Sequence, residues 1–419
     1  MRVVPRPAAA LSVLTLSLLG ALALPAAPAA ADEVRDRSWH LDALGLAELH
    51  KITQGEGVTV AVIDTGVDAA HPDLKDNVLP GVDLHDEKTK GRVDRQGHGT
   101  AMASLIAGHG HGPGNGDGVL GIAPKAKILP VTVQSARQGI IAPDAVAAGI
   151  DWAVDHGADI INVSLSSSSD DDLDRAVDRA YKKNVIVVAS VGNRQDLVIG
   201  NPARHPGAIA VTGSDRKGGL GPESIAAEET DIAAPSVDLQ RAAPGGKYSQ
   251  ATSVSGATAV VSGAVALIRA KYPNLSAFDT FKRLLETTKD AGTPGHDPDF
   301  GWGVLDLRQA LTGEPDGRAN STNASPTATP DPLSVWQHQD PDEDWYSWLI
   351  LGVLLLLIAV LVVVVLLFVR RRRRQRTPAA QPSGPPSAGP PATGPPSAGP
   401  AASGPRTPAD DSIWRPPAR

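Results

Sequence analysis

Three side chains in this sequence stand where an apolar strand ends or a helix begins, and together they could do nucleophilic chemistry. In Val60-Ala-Val-Ile-Asp64-Thr-Gly66 an apolar run ends on a carboxylate, and Gly66 permits a sharp turn. In Gly97-His98-Gly99-Thr100 an imidazole opens the small-residue helix Ala101–Gly108, between glycines that let backbone come close. In Ser253-Val254-Ser255-Gly256-Ala257 hydroxyls precede the apolar helix Thr258–Ala270. A helix start favours developing negative charge, through its free N–H groups and its dipole. Singly, each segment has a plain structural explanation: a strand end, a core histidine, an N-cap serine. Jointly, Asp64, His98 and Ser255 are a carboxylate, a base and a hydroxyl, in one of the chain orders known for a nucleophilic triad.

The elements that must hold these groups follow from the pattern around them. Val58–Ile63, Ile128–Val133, Ile160–Leu165, Val185–Ala189 and Ala208–Val211 are continuous apolar runs rich in Val and Ile. Strands buried on both faces read this way. Helical patterns such as Asp144–His156 and Leu173–Lys182 lie between them. Repeated β-α alternation predicts an α/β domain: a doubly wound, mostly parallel central sheet with helices on both faces.

The chain has 419 residues, 39 Lys+Arg against 46 Asp+Glu, a formal net charge of −7 and no cysteine. The missing cysteines exclude disulfides, thiolate metal sites and a cysteine nucleophile. Residues 32–369 hold 28 of the basic and 44 of the acidic residues, so this segment is strongly acidic and no nucleic-acid partner is expected. Residues 1–31 read as a signal peptide. Arg2 and Arg6 precede the apolar run Ala8–Leu24, and Pro25 and Ala29-Ala30-Ala31 resemble a cleavage site. Residues 32–56 form an N-terminal extension, and 57–312 the α/β domain. Residues 313–348, rich in Pro, Thr, Asn and Ser, read as a flexible stalk. Leu349–Val369 is a 21-residue uncharged apolar stretch, at ~1.5 Å per residue long enough for a transmembrane helix. Trp345, Tyr346 and Trp348 flank it on one side and Arg370–Arg374 and Arg376 on the other, which places the arginines in the cytoplasm. Residues 370–419 are a basic, then Pro/Gly-rich disordered tail. The expected localisation is the cell membrane: single-pass, domain outside, tail in the cytoplasm.

Segment 57–311 resembles the subtilisin-like serine proteases (subtilases). Further matching residues are Gly121-Ile-Ala-Pro-Lys, Gly157-Ala-Asp-Ile-Ile-Asn-Val-Ser164-Leu, Val187-Val-Ala-Ser-Val-Gly-Asn193 and Leu267. Trp39-His-Leu-Asp-Ala-Leu, His71-Pro-Asp-Leu, Gly97-His-Gly-Thr-Ala-Met-Ala and the single C-terminal apolar stretch narrow it to the mycosins, membrane-anchored subtilases associated with type VII secretion. The resemblance implies that Ser255 is the nucleophile, His98 its base and Asp64 the group that orients the imidazole. Asn193 would serve the oxyanion hole with the Ser255 N–H, and Ser164, Leu165 and Ser166 would bind substrate backbone. It also implies peptide or protein substrates, the cytoplasmic membrane and a type VII secretion membrane complex as partners.

The sequence departs from the family where Gly-Thr-Ser becomes Ser253-Val254-Ser255. Ser255 is preferred to Ser253 because Gly263 then falls eight residues on, as in the family pattern, where the helix packs closely. Val254 lacks the hydroxyl that can support the oxyanion, Ser253 adds a Cβ near the site, and Ser166-Ser167 replace glycines and imply a shallower pocket. His109-Gly-His111 reads as an exposed loop and Asp170-Asp171-Asp172 as a helix cap, so no metal or cofactor is expected. The expected function is a membrane-anchored serine endopeptidase. The alternative is a catalytically weak or inactive subtilase acting as a structural subunit of the secretion complex.

Overall fold

Apolar runs alternating with amphipathic ones must bury two faces of a sheet, and the chain does this around seven parallel strands. The structure, a computed structural model, describes residues 33–134, 141–168, 170–195, 199–317 and 355–367. Two units, Met1–Asp340 and Pro341–Arg419, divide the chain. The strands of the first are β1 (Thr59–Asp64), β2 (Val82–Asp83), β3 (His109–His111), β4 (Asp117–Leu120), β5 (Lys127–Thr132), β6 (Ile160–Val163), β7 (Ile186–Ser190), β8 (Ala208–Ser214), β9 (Ile232–Pro235), β10 (Leu239–Ala243) and β11 (Lys247–Ala251). Its helices are α1 (Glu33–Asp36), α2 (Trp39–Ala43), α3 (Leu46–Leu49), α4 (His98–Ala107), α5 (Pro143–Asp155), α6 (Asp171–Lys182), α7 (Val254–Lys271), α8 (Ala277–Glu286) and α9 (Leu307–Thr312).

The main sheet runs β2-β5-β1-β6-β7-β8-β9, all neighbours parallel. Alternation within β1 shows how one strand serves two cores. Val60 and Val62 join the cluster that contains α4 and α7, whereas Ala61 and Ile63 join the one that contains α5 and α6. Each fully buried Val, Leu or Ile stabilises the fold by about 1.5–3 kcal/mol. From β1 the chain first builds outward to β2 and β5, then crosses back to β6 on the other side of β1. The strand order therefore reverses between β1 and β6, and a crevice opens at their C-terminal ends, the usual ligand position in such sheets.

Helix α7 is apolar all round because it lies inside the domain. Its hydropathy would suit a membrane span, but 89% of it is buried. A Cβ at Gly263 would lie 2.5 Å from Ile122 Cβ, so only glycine lets α7 approach that closely. Asp170 caps α6 through a 2.8 Å bond from the Asp172 N–H, as its acidic run predicts. The strand expected over Ile160–Leu165 ends at Val163, because Ser164 already lies beyond the sheet edge in the crevice. In the second unit the helix Leu355–Leu367 exposes its leucines and valines. The signal peptide, nearly all of the stalk and the tail lie outside the described residues.

The described part of the N-terminal extension is packed onto the domain. Leu46, Leu49 and His40 are buried, and Trp39 Nε1 donates to the Val237 carbonyl at 2.8 Å. Arg35 donates to the Gly118 and Asn115 carbonyls, both at 3.1 Å. Among the described residues neither ring nitrogen of His40 has a hydrogen-bond partner, and burial lowers its pKa to about 4. The unfolded chain, with an ordinary imidazole, binds the extra proton as pH falls below about 6.5, so stability is lost down to about 4. His40→Leu should remove about 3 kcal/mol of that pH dependence. Urea unfolding of the full-length protein and the variant between pH 4 and 8 measures it. Asp231, raised to about 7 by burial, acts in the opposite sense in both proteins and cancels in the comparison. Parallel stability curves would refute the assignment.

Candidate active site

Asp64, the last residue of β1, has a fully buried side chain at the crevice floor. A buried carboxylate needs donors to offset its lost hydration. The Thr65 N–H donates to Oδ1 at 2.7 Å, and His98 Nδ1 lies 2.9 and 2.8 Å from the two oxygens. Since a carboxylate accepts, Nδ1 carries the proton and Nε2 is left as the basic nitrogen. The His98 side chain is one-third exposed, at 33%. Burial disfavours its charged form, but the charge and hydrogen bond of Asp64 outweigh this and leave its pKa above 6.5.

Two glycines make that contact possible. Gly66 turns with φ +98°, and a Cβ at Gly99 would sit 2.1 Å from the Gly66 carbonyl. Sequence reasoning missed the residue that locks this junction. Asp94 is buried and accepts from Gln96 N–H (2.9 Å), Gly97 N–H (2.7 Å), Thr100 N–H (2.9 Å), Thr100 Oγ1 (2.6 Å) and Thr65 Oγ1 (3.0 Å). Thr65 Oγ1 in turn accepts from the Gly99 N–H at 3.0 Å. One carboxylate thus ties the end of β1 to the start of α4. Its signal in the sequence was available: an Asp three residues before the Gly97 N-cap can accept the N–H groups of the following turn.

Ser255 stands in the first turn of α7, buried, with its hydroxyl 3.4 Å from the Ser164 carbonyl. Ser253 is separated from it in role. It is the N-cap, in ordinary extended backbone, and its Oγ accepts from the Gly256 N–H at 3.3 Å. The Val254 N–H donates to Asn193 Oδ1 at 3.0 Å, which turns the amide nitrogen of Asn193 away from that donor. Among the described residues, the Ser255 N–H meets no acceptor, an unpaired donor at a helix start. Val254 is fully buried in the apolar cluster under α5 and α6, so its side chain is used in packing.

Ser164, Leu165 and Ser166 follow β6 along the same crevice. The Ser164 hydroxyl donates to the Ser255 carbonyl at 3.2 Å and accepts from Asn162 Nδ2 at 3.1 Å. Ser167 is pinned by Oγ to the Ile141 carbonyl at 2.7 Å and by a backbone bridge to Asn201. Between them the backbone of Leu165 and Ser166 makes no hydrogen bond with other described residues, an open edge that an extended peptide could extend. The structure thus brings Asp64 and His98 into contact, and Ser255, Asn193 and Ser164 into one cluster at the start of α7. No hydrogen bond joins Ser255 to His98. Of the other histidines singled out, His109 bonds the Lys75 carbonyl and His111 the Asp73 carboxylate. No group of three or more metal-ligating side chains assembles among the described residues.

Residues 55–303 match the subtilase family. Fervidolysin of Fervidobacterium pennivorans is 32% identical over 315 residues, 67% of this chain and 44% of its own length. Subtilisin DY of Bacillus licheniformis is 34% identical over 262 residues, 61% of this chain and 92% of its own. The chain therefore spans less than half of the first and nearly all of the second. Among solved structures, MycP1, a serine protease described as an essential component of the type VII (ESX-1) secretion system, aligns with TM-score 0.60 at 30% identity, over 68% of this chain and 90% of MycP1. The MycP3 protease of the type VII (ESX-3) system aligns with TM-score 0.58 at 29% identity, over 70% and 91%. These neighbours agree with the mycosin resemblance read from the sequence.

The Asp64–His98 contact makes a prediction independent of any reaction. Asp64→Asn removes the two largest influences that raise the His98 pKa, and leaves burial and the Arg241 charge, which lower it, against the smaller effect of Asp94. The imidazole should titrate above 6.5 in the native protein and below 6.5 in Asp64→Asn, followed by histidine NMR. An unchanged midpoint would mean that the carboxylate does not govern the ring.

Proposed function

This chain belongs to the subtilase family, and from that premise we propose that it is a membrane-anchored serine endopeptidase acting on exported proteins or peptides. One observation carries the reading: an Asp64-bound His98 shares the crevice with Ser255, whose own N–H meets no acceptor among the described residues at the start of α7. In the proposed reaction Ser255 Oγ attacks the scissile carbonyl as His98 Nε2 takes its proton. The C–O bond to Ser255 forms and the carbonyl π electrons move to oxygen. The Ser255 N–H and the Asn193 amide receive that oxyanion, while Asp64 stabilises the imidazolium. Collapse breaks the C–N bond, and His98 gives its proton to the leaving amine. Water, activated by His98, then hydrolyses the acyl-enzyme and regenerates Ser255. Substrate backbone would pair with the edge at Ser164–Ser166.

The membrane assignment rests on the second unit and its flanks. An apolar helix with exposed side chains, Leu355–Leu367, lies inside the longer uncharged stretch Leu349–Val369. Arginines beyond it favour a cytoplasmic tail and an external domain. Association with a type VII secretion complex is supported by the likeness to MycP1 and MycP3. A second reading, a weakly active or inactive structural subunit, is favoured by the Ser255 hydroxyl, which faces the Ser164 carbonyl instead of His98. At 3.4 Å that bond is weak, and free enzymes often close the catalytic bond only with substrate.

Fluorophosphonate labelling of the full-length protein separates the two. The enzyme reading expects a stoichiometric adduct on Ser255, retained in Ser253→Ala and lost in Ser255→Ala. A folded protein without an adduct would favour the structural subunit. Asn193→Ala should lower peptide turnover by about 10²–10³-fold, measured as kcat. Because neutral His98 is the base and its pKa is raised, kcat/KM should rise with pH along a limb centred above 6.5. A limb below 6.5 would exclude His98 as that base.

A further inference from the structure

Arg241 lies on β10, one arm of the β10–β11 hairpin that leads directly into α7. Its register partner is Ser249, and Leu239 pairs with Ala251 on the same face. That face looks toward the start of α7, since a Cβ at Gly256 would meet Leu239 Cδ1 at 2.8 Å. The hairpin also leans on α4. Pro244 at its tip would lie 3.1 Å from a Cβ at Gly97, and the Ala242 N–H donates to Ser104 Oγ at 2.9 Å. Arg241 thus sits between the elements that carry His98 and Ser255.

The guanidinium has spare capacity there. Its Nε donates to Ser249 Oγ at 3.3 Å, and its two Nη groups have no acceptor among the described residues. Among the described residues no carboxylate pairs with it, whereas Arg179 has two and Arg204 and Arg216 one each. It is half-buried, and burial works against its charge while Asp64 supports it; its charge in turn is felt at His98. A partly desolvated cation without a counter-charge is costly unless something supplies one. A guanidinium fork fits a carboxylate in two parallel hydrogen bonds.

We propose that Arg241 is a specificity-determining residue that receives the carboxylate of an Asp or Glu side chain on the leaving-group side of the scissile bond. The side follows from the elements. The backbone edge at Ser164–Ser166 comes from β6 and takes the acyl half of the substrate. The hairpin packs against α4 at Gly97, beside His98, the group that protonates the leaving amine. This inference rests on the peptidase reading above.

The test uses the full-length protein in detergent with quenched fluorescent peptides. They vary only at the first and second residues after the cut, as Asp, Glu, Asn, Gln or Lys. The native protein should favour the acidic peptides over their amides by about tenfold or more in kcat/KM. The preference should shrink with added salt. Arg241→Gln should level the series, and Arg241→Glu should turn it toward Lys, an inversion that a purely structural role would not produce. Fluorophosphonate labelling and circular dichroism accompany each variant. If the native protein labels and cleaves without acidic preference, or if Arg241→Gln keeps it, the subsite is wrong and the peptidase stands. If the native protein neither labels nor cleaves, the peptidase reading fails and the subsite fails with it.

Discussion

A carboxylate with no exposure to water, set at the end of the central strand and bonded to one imidazole, is the constraint around which this domain is arranged. Burying Asp64 is unfavourable unless Thr65 and His98 present their N–H groups to it at short range. The two donors belong to different elements, so β1 and α4 must meet almost without a gap. Glycine at 66 and 99 removes the side chains that would keep them apart, and Asp94 fastens the junction with five accepted hydrogen bonds from four residues. The position is also where the sheet leaves room, because the strand order reverses beside β1. Sheet topology opens the crevice, and the buried charge fixes what stands in it.

The second fixed point is α7. A helix with apolar residues on every side has no solvent face to choose, so it must run through the interior and its register must match its neighbours. Gly263 against Ile122 sets that register, and the first turn of the helix arrives where Asn193 and Ser164 await it. The Ser253-Val254-Ser255 segment then reads differently from its first appearance. Ser253 occupies extended backbone open to any residue and caps the helix, and Val254 contributes to the core. The unusual residues at these positions serve packing and capping, and the free donor at Ser255 survives them.

What could be read from the sequence was whatever repeats or concentrates. Continuous Val and Ile runs marked β1, β5, β6, β7 and β8, and Asp64, His98 and Ser255 stood close to glycines at element ends. The short strands β2 and β9 escaped because two to four residues carry no period. The end of β6 was placed two residues late because Leu165 continues an apolar run, though sheet pairing stops where the crevice opens. The local bonds of Asp94, from Gln96, Gly97 and Thr100, were legible in its place before the Gly97 N-cap, but its bond from Thr65 is brought near only by the fold, which composition does not record. Arg241 is invisible for the same cause, since only the β10–β11 register places it on the face turned toward α7.

The N-terminal extension joins these parts. Trp39 bonds the carbonyl of Val237, two residues before β10 begins, and Arg216 lies over the Trp39 ring while pairing with Asp238. Arg35 holds the β3–β4 hairpin through the carbonyls of Asn115 and Gly118. The extension therefore braces the base of the hairpin that carries Arg241 and feeds Ser255 into α7. Leu46 and Leu49 belong to the same apolar cluster as α4 and α7. Removing the segment would uncover that cluster and loosen both hairpins together, so within this structure it is a layer of the domain. The burial of His40 in it makes this layer's packing respond to mild acid, next to the Trp39 that bonds the base of the hairpin.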